Sequence, residues 1–267
     1  MSSTISGLKY RIPVSADEII QKSKIAIAAG SLLLSAIGGG YWYYRHTHKE
    51  AYDYSDYYVL PENKNLPENA ETAEEPQKEL SLDLLKQTNP DVIGIIEFDD
   101  RMIYEPIVQA PDNEYYVRKN IERNYSAAGI PFVTGDGNIY STNVVIYGHS
   151  SVYDNIIFTP LMNYTSYDFY QDHPSFKFQT EDGTRTYQIF SVLNVDTKDP
   201  YDTLEFANSE WRKASAYASF LVDMKARDLY STGVDVSPSD KIMTLVTCDT
   251  RNGNKRIVVL GKEISIE

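Results

Sequence analysis

From position 92 to the C-terminus, short apolar runs alternate with polar punctuation. "VIGIIEF" (92–98), "IYEPIVQ" (103–109), "NVVIYGH" (143–149), "FKFQTEDGTRTYQIFSVLNV" (176–195), "KIMTLVT" (241–247) and "RIVVLGKEISI" (256–266) are rich in β-branched and aromatic residues and are divided by Asp, Gly, Asn and Pro. That pattern predicts strands. Within the fourth run, Asp182-Gly183 tolerates positive φ and predicts a hairpin turn. Strands at this spacing predict a mainly β domain of about 180 residues, a barrel or sandwich closed so that no edge is left bare.

Two stretches have a helical period instead. In "NSEWRKASAYASFLVDMKARDLYSTG" (208–233), Trp211, Ala214, Ala218, Leu221 and Met224 recur on one side, with Asn208 or Ser209 as cap, Glu210 in the first turn and Gly233 as the stop. This stripe reads as packing against the barrel and carries no chemistry. A shorter helix, "KELSLDLLKQT" (78–88), offers Leu80, Leu82, Leu84 and Leu85 as an apolar side and ends before Pro90.

The N-terminal pattern is of another kind. Residues 25–44, "IAIAAGSLLLSAIGGGYWYY", contain no charge over twenty positions, the length that spans a hydrocarbon core. Lys9, Arg11, Lys22 and Lys24 precede the run, and Tyr41, Trp42, Tyr43 and Tyr44 close it like an interfacial aromatic belt, although Arg45 and Lys49 keep the charge bias modest. A secretory signal peptide has a shorter apolar region ending in an A-x-A-like site, and neither feature is clear. The expected organisation is a cytoplasmic tail (1–24), a single transmembrane helix (25–44), an extracytoplasmic linker (45–80) and an extracytoplasmic folded domain (81–267). Residues 50–80 mix acidic residues with three prolines and almost no aliphatic ones, a composition that buries too little to offset its ordering entropy.

Composition narrows the partners. A net charge of −13 excludes nucleic acid, whose phosphates require a basic face. Twenty-two tyrosines suit aromatic strand faces and would equally suit a peptide-binding groove.

The candidate chemistry centres on Cys248, the chain's one cysteine, in "TLVTCDTRNGNKRIVVLGK". A single thiol in an exported protein forms no intramolecular disulfide, so it is a small buried hydrophobe, an intermolecular partner or a nucleophile. Its place where an apolar strand gives way to a polar loop favours the nucleophile, because the strand holds the backbone while the loop leaves the side chain reachable. A thiol attacks a carbonyl as thiolate and needs a proton acceptor and a cationic neighbourhood. Of four histidines, His46 and His48 flank the apolar run, His173 sits in a polar turn, and His149 closes a strand as Cys248 does, after a glycine that lets the backbone turn. Seven residues separate Cys248 from Arg256, so antiparallel pairing would bring the two nearly opposite each other. An arginine there could donate to a developing oxyanion, with Arg251 in the loop as its rival.

"TLVTC" followed by "KRIVV", with "YGHSS" about a hundred residues upstream and an N-terminal anchor, resembles the sortases, membrane-anchored cysteine transpeptidases of Gram-positive bacteria. The helix placed before the cysteine strand and "DVSPSDKIMTLVTC" make the resemblance closest to class B. It covers residues from about 80 onward. The resemblance implies an eight-stranded barrel and a two-step exchange. Cys248 would attack the threonine carbonyl of a sorting-signal peptide on a secreted surface protein, His149 would act as acid and base, and Arg256 would stabilise the oxyanion. An amine of a peptidoglycan cross-bridge or lipid-linked precursor would then resolve the thioacyl enzyme. The resemblance also implies a substrate groove with Asn113, Val117, Thr197 and Tyr201, and Thr247 and Asp249 flanking the nucleophile. Val246 stands where the family commonly has serine, which removes a hydroxyl donor. No cofactor is implied, and the histidines and single cysteine are not at metal-ligand spacing. Two further readings stay open: a pilin polymerase whose acceptor is a lysine on another subunit, and a hydrolytic or inactive sortase-like binding module.

Overall fold

The computed structural model describes residues 50–61, 77–110, 112–199 and 205–267. The expected tail and transmembrane helix, most of the expected linker and Tyr201 lie outside these residues. Among the described residues, no helix is long and apolar enough to cross a membrane.

The domain is built from β1 (Tyr58–Val59), β2 (Glu79–Leu80), α1 (Leu82–Thr88), β3 (Val92–Phe98), β4 (Tyr104–Gln109), β5 (Phe132–Val133), β6 (Asn143–Tyr147), α2 (Tyr167–Asp172), β7 (Ser175–Thr180), β8 (Gly183–Asp196), α3 (Ala214–Ala226), β9 (Ile242–Asp249) and β10 (Lys255–Ile266). Eight strands close a barrel in the order β10-β8-β7-β3-β4-β5-β6-β9, so every long strand finds a neighbour on both sides. The β4–β5 and β6–β9 pairs are parallel and the others antiparallel. The expected hairpin turn joins β7 to β8. Gly183 takes φ +128 there, and a Cβ at that position would collide with the Glu267 carbonyl.

Period-2 alternation divides the side chains between two surfaces. Ile96, Ile107, Val133, Ile146, Phe178, Ile189, Leu245 and Val259, one from each barrel strand, belong to a single buried cluster that fills the interior. Val145, Phe190, Leu193, Val195, Val246 and Val258 point outward and are covered by Tyr217, Phe220, Leu221 and Met224 of α3.

That helix is shorter than the sequence predicts, and neither Asn208 nor Ser209 caps it. Its first residue is Ala214 and its N-cap is Lys213. The reason is tertiary. Asn143 on β6 donates through Nδ2 to the Phe206 and Asn208 carbonyls and through its backbone N–H to Ser209, while Glu210 accepts from the Thr142 N–H and hydroxyl. These bonds tie the short 3-10 turn Glu205–Ala207 and residues 208–210 to the barrel and delay the first α-helical turn. Ala214 is exposed, and the buried stripe runs through Tyr217, Phe220, Leu221 and Met224.

The shorter predicted helix begins at Leu82, capped by the Ser81 hydroxyl accepting from the Leu84 N–H at 3.3 Å. Glu79–Leu80 pairs with Tyr58–Val59 instead of extending the helix. Residues 50–61, expected to be linker, are packed on the domain. Tyr54 and Tyr57 are buried with Leu82, Leu85, Val92 and Ile95. Counting aliphatic residues undervalues this segment, because a tyrosine ring buries as much apolar area as the side chains it lacks.

Candidate active site

Two strand ends define the site. β9 and β10 pair with Cys248 and Arg256 as Cα partners, so the nucleophile candidate and the cation are directly opposite. On the other flank of β9, β6 runs parallel in the register Ile146↔Leu245 and Tyr147↔Val246. Continued by two residues, that register would align His149 with Cys248. The Gly148 N–H donates to the Val246 carbonyl at 3.1 Å, the Thr247 hydroxyl to the Gly148 carbonyl at 2.8 Å, and the Ser150 hydroxyl to the Cys248 carbonyl at 2.5 Å. The strand ends that carry the two candidate residues are thus stitched to each other. Cys248 and His149 are half-buried, reachable from solvent while their backbones are held.

Gly148 has a different role from the one its sequence suggests. Its φ lies outside the left-handed region, so no turn requires it. A Cβ there would stand 2.5 Å from the buried Phe158 ring. The glycine serves close approach, and the Phe158 N–H donates back to the His149 carbonyl at 3.0 Å.

His149 is oriented by the loop that carries Val117. Its Nε2 lies 2.9 Å from the Val117 carbonyl, which can only accept, so Nε2 bears the proton in this contact. That loop is anchored by a buried polar knot. Asn89 Nδ2 donates to the Ile121 carbonyl and the Tyr116 hydroxyl, and Tyr116 donates to Asp91 at 2.5 Å. Asn113 is exposed, and its Oδ1 accepts from the Gly135 N–H at 2.6 Å.

The two arginines are separated by their partners. Arg251 is paired with Asp249 through Nε at 2.8 Å and Nη2 at 3.3 Å. Burial alone would raise the Asp249 carboxyl, but the Arg251 guanidinium and backbone N–H hold it below its ordinary value. Among the described residues no acidic side chain pairs with Arg256, whose Nη1 donates to the Lys255 carbonyl at 3.0 Å. Arg256 also faces Tyr147. Burial pushes that phenol up, and the Arg256 guanidinium pulls against the rise.

Strand alternation divides the neighbours of Cys248 between the two faces of β9. Thr247 and Asp249 alternate with Cys248 and face the barrel side, the first bonded to Gly148 and the second to Arg251. Val246 shares Cys248's face, yet it is fully buried beneath the α3 cluster. Thr197 is exposed and clasps the cysteine–arginine turn, its N–H and hydroxyl both donating to the Asn254 carbonyl at 2.9 and 2.8 Å. Sequence pattern does not single out Ser150; the one signal for it is its position directly after the strand-ending histidine. Among the described residues no group of three or more His, Cys, Asp or Glu is arranged to hold a metal ion.

Known proteins resemble this chain in sequence and in fold. Residues 107–264 match the family model described as Sortase domain. The chain is 31% identical to Sortase B of Staphylococcus aureus over 186 residues, 68% of this chain and 74% of that protein. It is 30% identical to Sortase B of Listeria monocytogenes over 185 residues, 68% of this chain and 73% of that protein. The X-ray structure of Clostridium perfringens sortase B superposes with a TM-score of 0.64 at 29% identity, covering 69% of this chain and all of that one.

Proposed function

The chain belongs to the sortase family, and from that premise we propose how its own residues carry the family's reaction. It is a cysteine transpeptidase of the class B kind, which processes a C-terminal sorting signal and links the product to cell-wall peptidoglycan. Cys248 Sγ, as thiolate, attacks the carbonyl carbon of the motif threonine, and Arg256 donates to the oxyanion that forms. Collapse of this intermediate breaks the peptide C–N bond, and His149 gives its proton to the departing amine. An amine of a cross-bridge or lipid-linked precursor then attacks the thioester, loses a proton to His149 and expels the Cys248 thiolate, leaving an amide.

In this reading Asn113, Val117, Thr197 and Tyr201 border the peptide groove. Val246 forms the floor under Cys248, while Thr247 and Asp249 hold the strand and turn in place. Residues 25–44 keep the domain at the outer face of the membrane. The observation that supports the assignment is the register that pairs Arg256 with Cys248 on one side and, on the other, pairs β6 with β9 up to Tyr147 and Val246, two residues before His149 and Cys248.

Mass spectrometry of the detergent-solubilised full chain, incubated with Asn-Pro-x-Thr and Leu-Pro-x-Thr peptides and small amines, tests it. The expected result is a thioacyl adduct on Cys248 that passes to the amine and is absent in Cys248→Ala. Turnover retained by Cys248→Ala would remove the covalent mechanism.

A further inference from the structure

Away from the Cys248 site, a cavity of about 380 Å³ opens between the packed N-terminal segment, the β3–β4 turn, β4 and the loop after His149. Tyr52, Tyr54, Tyr58 and Tyr104 supply aromatic walls, Glu105 and Asp53 supply carboxylates, and Ile156 and Ile157 close one side. The rings are clustered, with Tyr52 and Tyr54 centroids 4.9 Å apart and Tyr58 and Tyr104 centroids 6.2 Å apart.

The carboxyl groups in this cavity have no lining cation to themselves. Arg101, its one lining cation, is committed: it pairs with Glu97 at 3.0 Å and lies over the Tyr104 ring at 4.5 Å, and it donates to the Lys78 carbonyl. Among the described residues no Lys or Arg pairs with Glu105, whose carboxyl has the Tyr54 hydroxyl as its hydrogen-bond partner. Asp53 is turned to the Ser55 N–H. Drawn out of water, the Glu105 carboxyl resists ionising, and a cation in contact would offset the cost of its charged form. Tyrosine faces attract the same kind of ligand, since their quadrupole favours a positive charge over the ring. Ile157 on the cavity wall is held at φ +42, a conformation uncommon for a β-branched residue, as is Arg101 at φ +53 on the opposite wall.

We propose that this cavity binds a primary alkylammonium group, of the kind borne by a lysine side chain, with Glu105 as counter-ion and the tyrosine rings enclosing the methylene chain. It is distinct from the Cys248 site, because no lining residue comes from β9 or β10.

The test is calorimetric titration of Nα-acetyl-lysine methylamide into the detergent-solubilised full chain with Cys248 alkylated, at about pH 8.5, where the ammonium is charged. One site is expected, with the Nε-acetylated analogue and the Glu105→Gln variant each binding at least tenfold more weakly. Equal binding of the neutral analogue, undiminished binding to Glu105→Gln, or no heat with wild type would overturn the proposal. So would binding that appears only when Cys248 is unmodified, which would place the ligand at the catalytic site. The neutral analogue keeps the test decisive if Glu105→Gln does not fold.

Discussion

Gly148→Ala is the smallest change that separates the positioning of His149 from its chemistry. The added Cβ would lie 2.5, 2.8 and 2.9 Å from three atoms of the Phe158 ring, whereas ordinary contact begins at 3.4 Å, so about 0.9 Å must be found. The ring cannot yield freely, because Phe158 has no exposed surface and is packed in the barrel-interior cluster. Gly148 is tied to Val246 and Thr247, so the displacement falls on the segment leading to His149. Overpacking of this kind costs about 1–3 kcal/mol of stability. A shift of about 1 Å in a catalytic group costs on the order of a hundredfold in rate. The assay is turnover of a sorting peptide with an amine acceptor, alongside the melting temperature and the rate of Cys248 alkylation. A folded variant with a reachable thiol and a rate down by roughly a hundredfold is expected, with partial recovery when Phe158→Leu is added to make room. Wild-type turnover in Gly148→Ala, or no recovery in the double variant, would refute the reasoning that this glycine exists to let the histidine strand pass the ring.

Other perturbations follow from the same geometry. Arg256→Ala should lower turnover by on the order of a hundredfold or more with the thioacyl step affected directly, and Arg256→Lys should restore only part of it, because the donor fork is lost; single-turnover adduct formation reads both. Ser150→Ala removes the hydroxyl that grips the Cys248 carbonyl, so stability should fall by about 1 kcal/mol and turnover more than alkylation rate, measured by denaturant titration and peptide assay. Glu105→Gln tests the buried carboxyl. Desolvation raises its pKa to about 8 from 4.5, against which the Tyr54 hydroxyl works weakly. The folded state holds this proton more tightly than the unfolded one, so wild type loses stability as pH rises from the unfolded value through the folded value. The variant should match wild type near pH 5 and exceed it by about 2–4 kcal/mol at pH 9, allowing for solvent at the half-buried carboxyl. Equal pH profiles for the two proteins would show that Glu105 is not held protonated.

Much of this was legible in the chain because it depends on local pattern. The β-branched runs reappear as β3, β4, β6, β7, β8, β9 and β10, since alternation decides which positions can be half-buried on a pleated surface. The spacing from Cys248 to Arg256 is short enough that hairpin geometry alone brings the two opposite each other. Other features depended on what lies across space. The segments that end in His149 and Cys248 become neighbours only because β6 and β9 run parallel, a pairing between segments about a hundred residues apart that neither run announces. The start of α3 was decided by Asn143 and Glu210 bonding across the barrel, which outweighed a good local cap at Ser209. Gly148 serves close approach for the same reason, since its neighbour in space is Phe158, ten residues on. The direction of Thr247 and Asp249 away from Cys248 follows from strand alternation once β9 has a barrel interior to face. Local propensity thus determined the elements and put the candidate groups at strand ends, while long-range pairing, whose partners sequence order does not encode, decided which strand ends lie side by side.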